Sequence, residues 1–347
     1  MFSFFRFLGG VGVGASTVAA PTYISEISSA KSRGRLVALY QFNIVFGILV
    51  AFISNYLLDG VGGNSDWRWM LGVEALPAAL YCLLIFGVPN SPRWLVVQQN
   101  DKVGALSTLQ LIHGDADKAQ AELDAIKNHT SEESSRNGVF SGKYNKSLLL
   151  AFLLAFFNQL SGINFILYYA PVILENAGFA SSDSLLSSIS IGGTNLIFTF
   201  VGLYLIDRMG RKSLMYIGSV GYIISLAMVA YGFKTEASAG FNLFFILTFI
   251  ASHAVGQGAV IWVFISEIFP NSVRAAGQAW GTGTHWVFAA LITMLGEVVI
   301  EAFPGWTVFA FFAAFMVLQL LFTHFMMPET KGISLEELQD QLTSKDA

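Results

Sequence analysis

Residues 156–171 read FFNQLSGINFILYYAP and lie inside a run, 147–174, that carries no charged residue. About 20 apolar residues are enough to cross a bilayer, so the run is long enough to span one. Yet its middle holds Asn158, Gln159, Ser161 and Asn164, with Gly162 among them. Unpaired polar groups are costly in lipid, so a spanning helix normally keeps them out of its centre. Gly162 loosens the helix, and Pro171 removes a backbone donor further along. A polar, breakable helix at mid-membrane depth suits a pathway for a hydroxylated solute. Ser, Asn and Gln also bond membrane helices to one another. The stretch alone leaves both readings open.

Composition supports the membrane assignment. Of 347 residues, 54% are hydrophobic and 12% charged, with a mean hydropathy of +0.60. An ordinary soluble domain carries about 25% charged residues. The net charge of −4 and the lack of a large basic cluster argue against nucleic acid as a partner. Cys82 is the single cysteine, so no internal disulfide forms. No metal-ligand spacing occurs, and no cofactor is implied.

Nine segments can span: 4–23, 36–58, 67–88, 147–174, 184–206, 213–233, 241–265, 275–296 and 304–327. All lysines and arginines except Arg6, Arg68 and Lys234 fall in the loops near 24–35, 89–146, 207–212 and 266–274 or in the C-terminal tail. The positive-inside rule makes these cytoplasmic, so the C-terminus is expected inside. In the long loop 89–146, residues 103–113 and 116–128 have the spacing of amphipathic helices. Residues 130–142 are polar and expected to be mobile.

The chain contains an internal repeat. SEISSAKSRG at 25–34 matches SEIFPNSVRA at 266–275, an offset of 241 residues. Glu26 and Glu267 each close a span, and Arg33 and Arg274 each follow seven residues later. Three spans beyond each copy comes a proline-led exit, PNSPR at 89–93 and PETKG at 328–332. Spans one to three therefore correspond to spans seven to nine. Three spans ending in DRMGRK at 207–212 precede the second copy, and none precede the first. Repeats of six spans are a known transporter plan. The expectation is a twelve-span parent whose first three spans are not in this chain.

Seven motifs stand in order along the chain: RFLGGVGVG (6–14), PTYISEISSAKSRGRL (21–36), PNSPRWL (89–95), NQLSGIN (158–164), DRMGRK (207–212), SEIFPNSVR (266–274) and PETKG (328–332). Together they resemble the sugar porter family of the major facilitator superfamily, most closely its bacterial proton-coupled hexose and pentose symporters. The resemblance implies an all-α membrane protein, a helical bundle with nine of twelve transmembrane helices. The expected parts are an incomplete N-terminal half (1–88), a cytoplasmic loop with short helices (89–146), a six-helix domain (147–327) and a cytoplasmic tail (328–347). It implies a multi-pass protein of the cytoplasmic (inner) membrane that moves a monosaccharide by alternating access, with protons as the coupling ion. A sugar sensor that does not transport, or an inactive fragment, is the alternative.

A sugar is held by amides, which donate and accept together, and by an aromatic ring against its apolar face. The resemblance assigns substrate binding to Gln41, Asn158, Gln159, Asn164, Asn195, Trp262 and His285. Two positions depart from the family pattern: Gln is usual where Asn158 stands, and Asn or Gln where His285 stands. Both changes bear on which sugar is held. His253 and His324 read as structural. Tyr168 and Tyr169 resemble the family's outer aromatic lid, and Gly256, Gly258 and Pro270, which flank Trp262, would let span seven bend around the solute.

The resemblance gives Glu26, Arg33, Arg93, Asp207, Arg211, Lys212, Glu267 and Arg274 a gating role, as ion pairs between the two halves at the cytoplasmic face. Topology alone accounts for the basic residues but not for Glu26 and Glu267. The family carries an acid where Asn90 stands. Arg6, inside span one, is the expected coupling residue, since an arginine at that depth costs roughly 2.5–3.5 kcal/mol unless paired. Its partner in relatives is an aspartate of a helix outside this chain. Glu74 is the acid well inside the remaining spans, and the sequence leaves open whether it reaches Arg6. No Ser/His/Asp grouping or paired carboxylates point to an enzyme.

Overall fold

The computed structural model describes residues 1–28, 33–132, 138–270, 273–333, 337–338 and 341–342. Among the described residues there are helices and turns but no strand. In order they are α1 (Phe2–Ile27), α2 (Arg33–Leu58), a single 3-10 turn (Gly63–Ser65), α3 (Asp66–Gly72), α4 (Ala75–Ile85), α5 (Pro92–Gln98), α6 (Lys102–His113), α7 (Ala116–Glu132), α8 (Asn145–Leu160), α9 (Ile163–Tyr168), α10 (Ala170–Asn176), α11 (Ser181–Met209), α12 (Arg211–Lys234), α13 (Ala239–Val255), α14 (Gln257–Glu267), α15 (Arg274–Ala302) and α16 (Gly305–Phe325). Nine spans among the described residues are long and apolar enough to cross a membrane.

Three of the expected spans are not single helices. The fourth is α8, α9 and α10, broken at Gly162 and again at Tyr169 before Pro171. The seventh is α13 and α14, broken at Gly256. The third is α3 and α4, interrupted at Val73 and Glu74, a break the apolar pattern of 67–88 did not signal. The eighth span, α15, runs on to Ala302, beyond the expected end at 296, and stops just before Pro304.

The chain divides into two units, Met1–Gln41 with Leu58–Asn137, and Phe42–Leu57 with Gly138–Ala347. This differs from the expected boundary at 88. In the first unit the Tyr23 hydroxyl donates to the Pro89 carbonyl at 2.7 Å, and Ser91 donates to Glu26. Those bonds tie α1 to the start of the 89–137 segment. In the second unit Leu49 and Phe52 pack onto Gly192 of α11, and the Phe42 ring meets Phe200 at 5.4 Å. The middle of α2 is held there by side-chain contact, a link that sequence order cannot show.

The segment after residue 89 forms three helices, not the two expected. Ser91 caps α5 at the Trp94 N–H, and Asp101 caps α6 at the Gly104 N–H. Gly114 closes α6 in the left-handed region. Asp115 accepts from the backbone of Asp117 and Lys118 at the start of α7. The bond from the Lys118 N–H, with that from Asp117, holds the Asp115 carboxyl below its ordinary value. Leu95, Val96, Ala105, Leu109, Ala119, Leu123 and Ile126 form the small core that these helices share. α7 continues to Glu132, past the expected end at 128; the side chains at 130–137 lie outside the described residues, and residues after 138 form turns.

The second unit holds most of the buried surface. One cluster gathers Leu154, Met215, Phe264 and Phe269. The other gathers Ile166, Tyr222, Leu226, Phe249 and Phe312. Between membrane helices the cohesion is close packing rather than escape from water. α8 meets α15 through Phe156 and Phe288, edge to face at 5.0 Å, and the Trp280 indole donates to the Leu148 carbonyl at 3.1 Å.

Candidate functional site

The break in span four makes the site. Gly162 has φ +83°, a left-handed conformation that glycine adopts without strain. The Phe312 ring fills the space a Cβ would take, at 2.6 Å. The last turn of α8 and the first of α9 therefore present their amides together. The Asn164 amide donates to Gln159 Oε1 at 2.9 Å, and Gln159 Nε2 donates to Asn158 Oδ1 at 3.0 Å. Gln159 Nε2 also meets the His285 ring of α15, with Nδ1 at 3.1 Å. The Trp262 indole of α14 stands against the same imidazole, ring centres 5.1 Å apart. Asn158, Gln159, Asn164, Trp262 and His285 thus form one cluster of amides, an imidazole and an indole. Asn158 and Gln159 are buried, whereas Asn164, Trp262 and His285 are half-buried.

The other two amides share none of those hydrogen bonds. Asn195 is buried on α11, but none of the cluster's hydrogen bonds reaches it. Gln41 belongs to the first unit, where its Oε1 is buried without a partner among the described residues. His253 pairs with the Tyr222 hydroxyl at 3.3 Å and His324 with Tyr216 at 2.9 Å. Tyr169 donates to the Thr293 carbonyl of α15, and Tyr168 is exposed.

A second polar centre lies at the end of α12 and α14. Arg211 grips Glu267 with two hydrogen bonds, Nη2 to Oε1 at 2.7 Å and Nε to Oε2 at 3.1 Å. The Thr330 hydroxyl adds a third to Glu267 at 2.6 Å. Asp207, exposed, reaches Arg211 at 3.4 Å. Glu329 accepts the backbone N–H groups of Arg211 and Lys212, at 2.9 and 3.0 Å, and so caps α12 from a distant part of the chain. Partial burial acts against the charge on Glu329, but four backbone donors (Lys331, Arg211, Lys212 and Thr330) outweigh it and hold the carboxyl below its ordinary value. Lys212 Nζ donates to the His324 carbonyl and Arg274 Nε to the Phe269 carbonyl. A cavity of about 350 Å³ beside this cluster is lined by Asp207, Arg211, Glu267, Thr330 and Lys331. In the first unit Glu26 accepts from Ser91, and Arg93 is exposed on α5. The Arg33 side chain lies outside the described residues. Every pair named here lies within one unit.

A family model described as Sugar (and other) transporter matches residues 1–342. The chain belongs to this family. It is 33% identical over 353 residues to the D-xylose-proton symporter of Escherichia coli (strain K12), covering 97% of this chain and 71% of that one. It is 33% identical over 344 residues to the galactose-proton symporter of the same strain, covering 97% and 73%. The major facilitator superfamily proton:xylose symporter XylE bound to 6-bromo-6-deoxy-D-glucose superposes with a TM-score of 0.79 at 32% identity, covering 99% of this chain and 74% of that one. The chain thus spans about three quarters of the length of these relatives. It is a multi-pass transporter with the major facilitator fold.

In the transporter's first unit, Arg6 of α1 reaches Glu74 at 3.3 Å. Glu74 lies at the interruption between α3 and α4. This answers the question that the sequence left open. Both side chains are more than half exposed. The sequence reading missed Gln257, which accepts from Asn158 Nδ2 at 3.3 Å. It also missed the roles of Ser91, Glu329 and Thr330. Two of these were within reach of the repeat, because Ser91 of PNSPR and Thr330 of PETKG hold the same place in the two exits.

Proposed function

We propose that this transporter carries a monosaccharide, a hexose or pentose, across the cytoplasmic (inner) membrane together with a proton, and that its C-terminus faces the cytoplasm. The observation that carries this reading is the cluster of Gln159, Asn164, His285 and Trp262 at the break between α8 and α9. Amides offer donors and acceptors side by side, which is what a ring of hydroxyls needs. The indole supplies a surface for the apolar face of the ring. Each net hydrogen bond contributes about 1 kcal/mol, and a carrier needs only millimolar to micromolar binding, roughly −4 to −8 kcal/mol. That is weak enough for release. Asn195 completes the site in this reading when the carrier closes around its load.

Coupling runs through Arg6. A proton on Glu74 cancels one charge of the pair and frees the arginine, which changes the relative energy of the two access states. The Arg211–Glu267–Thr330 cluster, with Asp207, Lys212 and Arg274, acts as the cytoplasmic latch of the second unit, and Glu26 with Ser91 as that of the first; Arg33 and Arg93 are assigned to the same gate. The test is uptake of D-xylose and D-galactose into proteoliposomes, with and without an inward proton gradient. Gln159→Ala is expected to raise KM at least about tenfold, since it removes more than one hydrogen bond. An unchanged KM removes the amide cluster as the site, and uptake indifferent to the gradient removes the proton.

A further inference from the structure

Gln257 opens α14 directly after the break at Gly256 and is fully buried. Its backbone N–H donates to the Tyr222 hydroxyl at 3.3 Å, and Tyr222 in turn meets buried His253. The backbone at 257 is therefore anchored from α12. Its side chain points at the amide cluster, with Oε1 accepting from Asn158 Nδ2 at 3.3 Å. Four amides then run in one direction. Asn164 donates to Gln159, Gln159 to Asn158, and Asn158 to Gln257. The series ends at Gln257 Nε2, which is buried with no acceptor among the described residues.

A buried amide with half its bonding unmade is less stabilising than an apolar side chain of the same shape. Cohesion does not explain Gln257. Orientation does. A terminal amide turned by half a rotation exchanges its acceptor for its donor. Asn158 keeps its bond to Gln257 on turning only if Gln257 turns with it, and Gln159 cannot turn alone without losing Asn158 Oδ1. We propose that Gln257 is a positioning residue for substrate selectivity: by bonding Asn158, it ties the amides of Asn158, Gln159 and Asn164 into one series that turns together, so that Gln159 and Asn164 show the solute a shared donor–acceptor pattern, and so selects among monosaccharides that differ in one hydroxyl. The inference rests on the sugar-carrier reading above.

The test uses the full chain in proteoliposomes, with D-xylose, L-arabinose, D-glucose and D-galactose as probes, and thermal unfolding in detergent. Gln257→Met keeps the volume and removes the acceptor, whereas Gln257→Glu keeps a carbonyl oxygen for Asn158. For the two sugars that the wild type separates most, Gln257→Met is expected to move the ratio of KM values about fivefold, the worth of one hydrogen bond. No matching change in the ratio of maximal rates is expected. Its unfolding temperature stays equal or rises, and Gln257→Glu restores the wild-type ratio. A folded Gln257→Met protein with the wild-type ratio overturns the proposal. So does one that fails to fold or weakens every sugar alike, because the amide is then structural. A wild type that moves all four sugars alike leaves no selectivity to set and also overturns it. A wild type that moves none of them refutes the carrier reading first, before any variant is made, and the inference falls with it.

Discussion

Glu329 takes four backbone N–H groups, two of them from the first turn of α12. Carboxylates near a helix N-terminus are favoured by the free donors and by the helix dipole. The folded protein therefore binds a proton at Glu329 less readily than the unfolded chain does. Stability from this group is present above the ordinary glutamate value and is lost as pH falls through the lowered one. Glu329→Gln is expected to reduce stability at neutral pH by on the order of 1 kcal/mol, because the group is partly exposed and screened. The variant should also lose part of the acid-side decline in unfolding temperature, measured by melting curves from pH 7 to pH 3. Equal curves for both proteins would mean the cap is energetically idle. At this scale the sequence showed which residue types stand in the two exits, but not the partner of each. Glu329 meets α12 across 117 residues of chain, and no local spacing encodes that.

Two of the broken helices turn on single glycines. Gly162 combines a left-handed backbone with a Phe312 ring where a Cβ would go. Gly162→Ala is expected to cost at least about 1–2 kcal/mol from backbone strain alone, and more where Phe312 cannot move. It should straighten span four toward a continuous helix, which would carry the Asn164 amide away from Gln159. Sugar binding, followed by Trp262 fluorescence, should weaken along with stability; a stable variant with unchanged binding would show that the break is not what brings the amides together. Gly256 acts differently, with no positive φ: its Cβ would meet the Gly218 Cα at 2.8 Å, so it marks a close approach of two helices. The break at Gly162 was legible because polar residues and a glycine sat at mid-depth in an apolar run. The one at Val73–Glu74 also carries a signal that the apolar run 67–88 masks: Gly72 precedes it, and Pro77 has no N–H to donate to the Val73 carbonyl. α15 continues past the expected end at 296 to Ala302 and closes just before Phe303 and Pro304.

Across the whole molecule, the repeat reappears as chemistry. Glu26 takes the Ser91 hydroxyl in the first unit, and Glu267 takes the Thr330 hydroxyl in the second. Each repeat copy thus binds its closing glutamate to the hydroxyl of its own exit. Coupling also belongs to this scale, since it links a proton on one residue to the access state of the entire carrier. Glu74→Gln holds Arg6 without a counter-charge at every pH. It is expected to slow uptake driven by a proton gradient tenfold or more in initial rate, at about 1.4 kcal/mol per decade, while sugar exchange without a gradient persists. Gradient-driven uptake at the wild-type rate would remove Glu74 from the coupling. The apolar runs, the basic loops and the repeat determined a membrane-spanning helical carrier, because lipid leaves the backbone few alternatives and because charge follows topology. Which amide faces which, that Glu74 meets Arg6, and that the middle of α2 packs onto α11 were decided only by the tertiary structure. Those are contacts between helices far apart in the chain, and helical periodicity records which face is polar but not what stands opposite it.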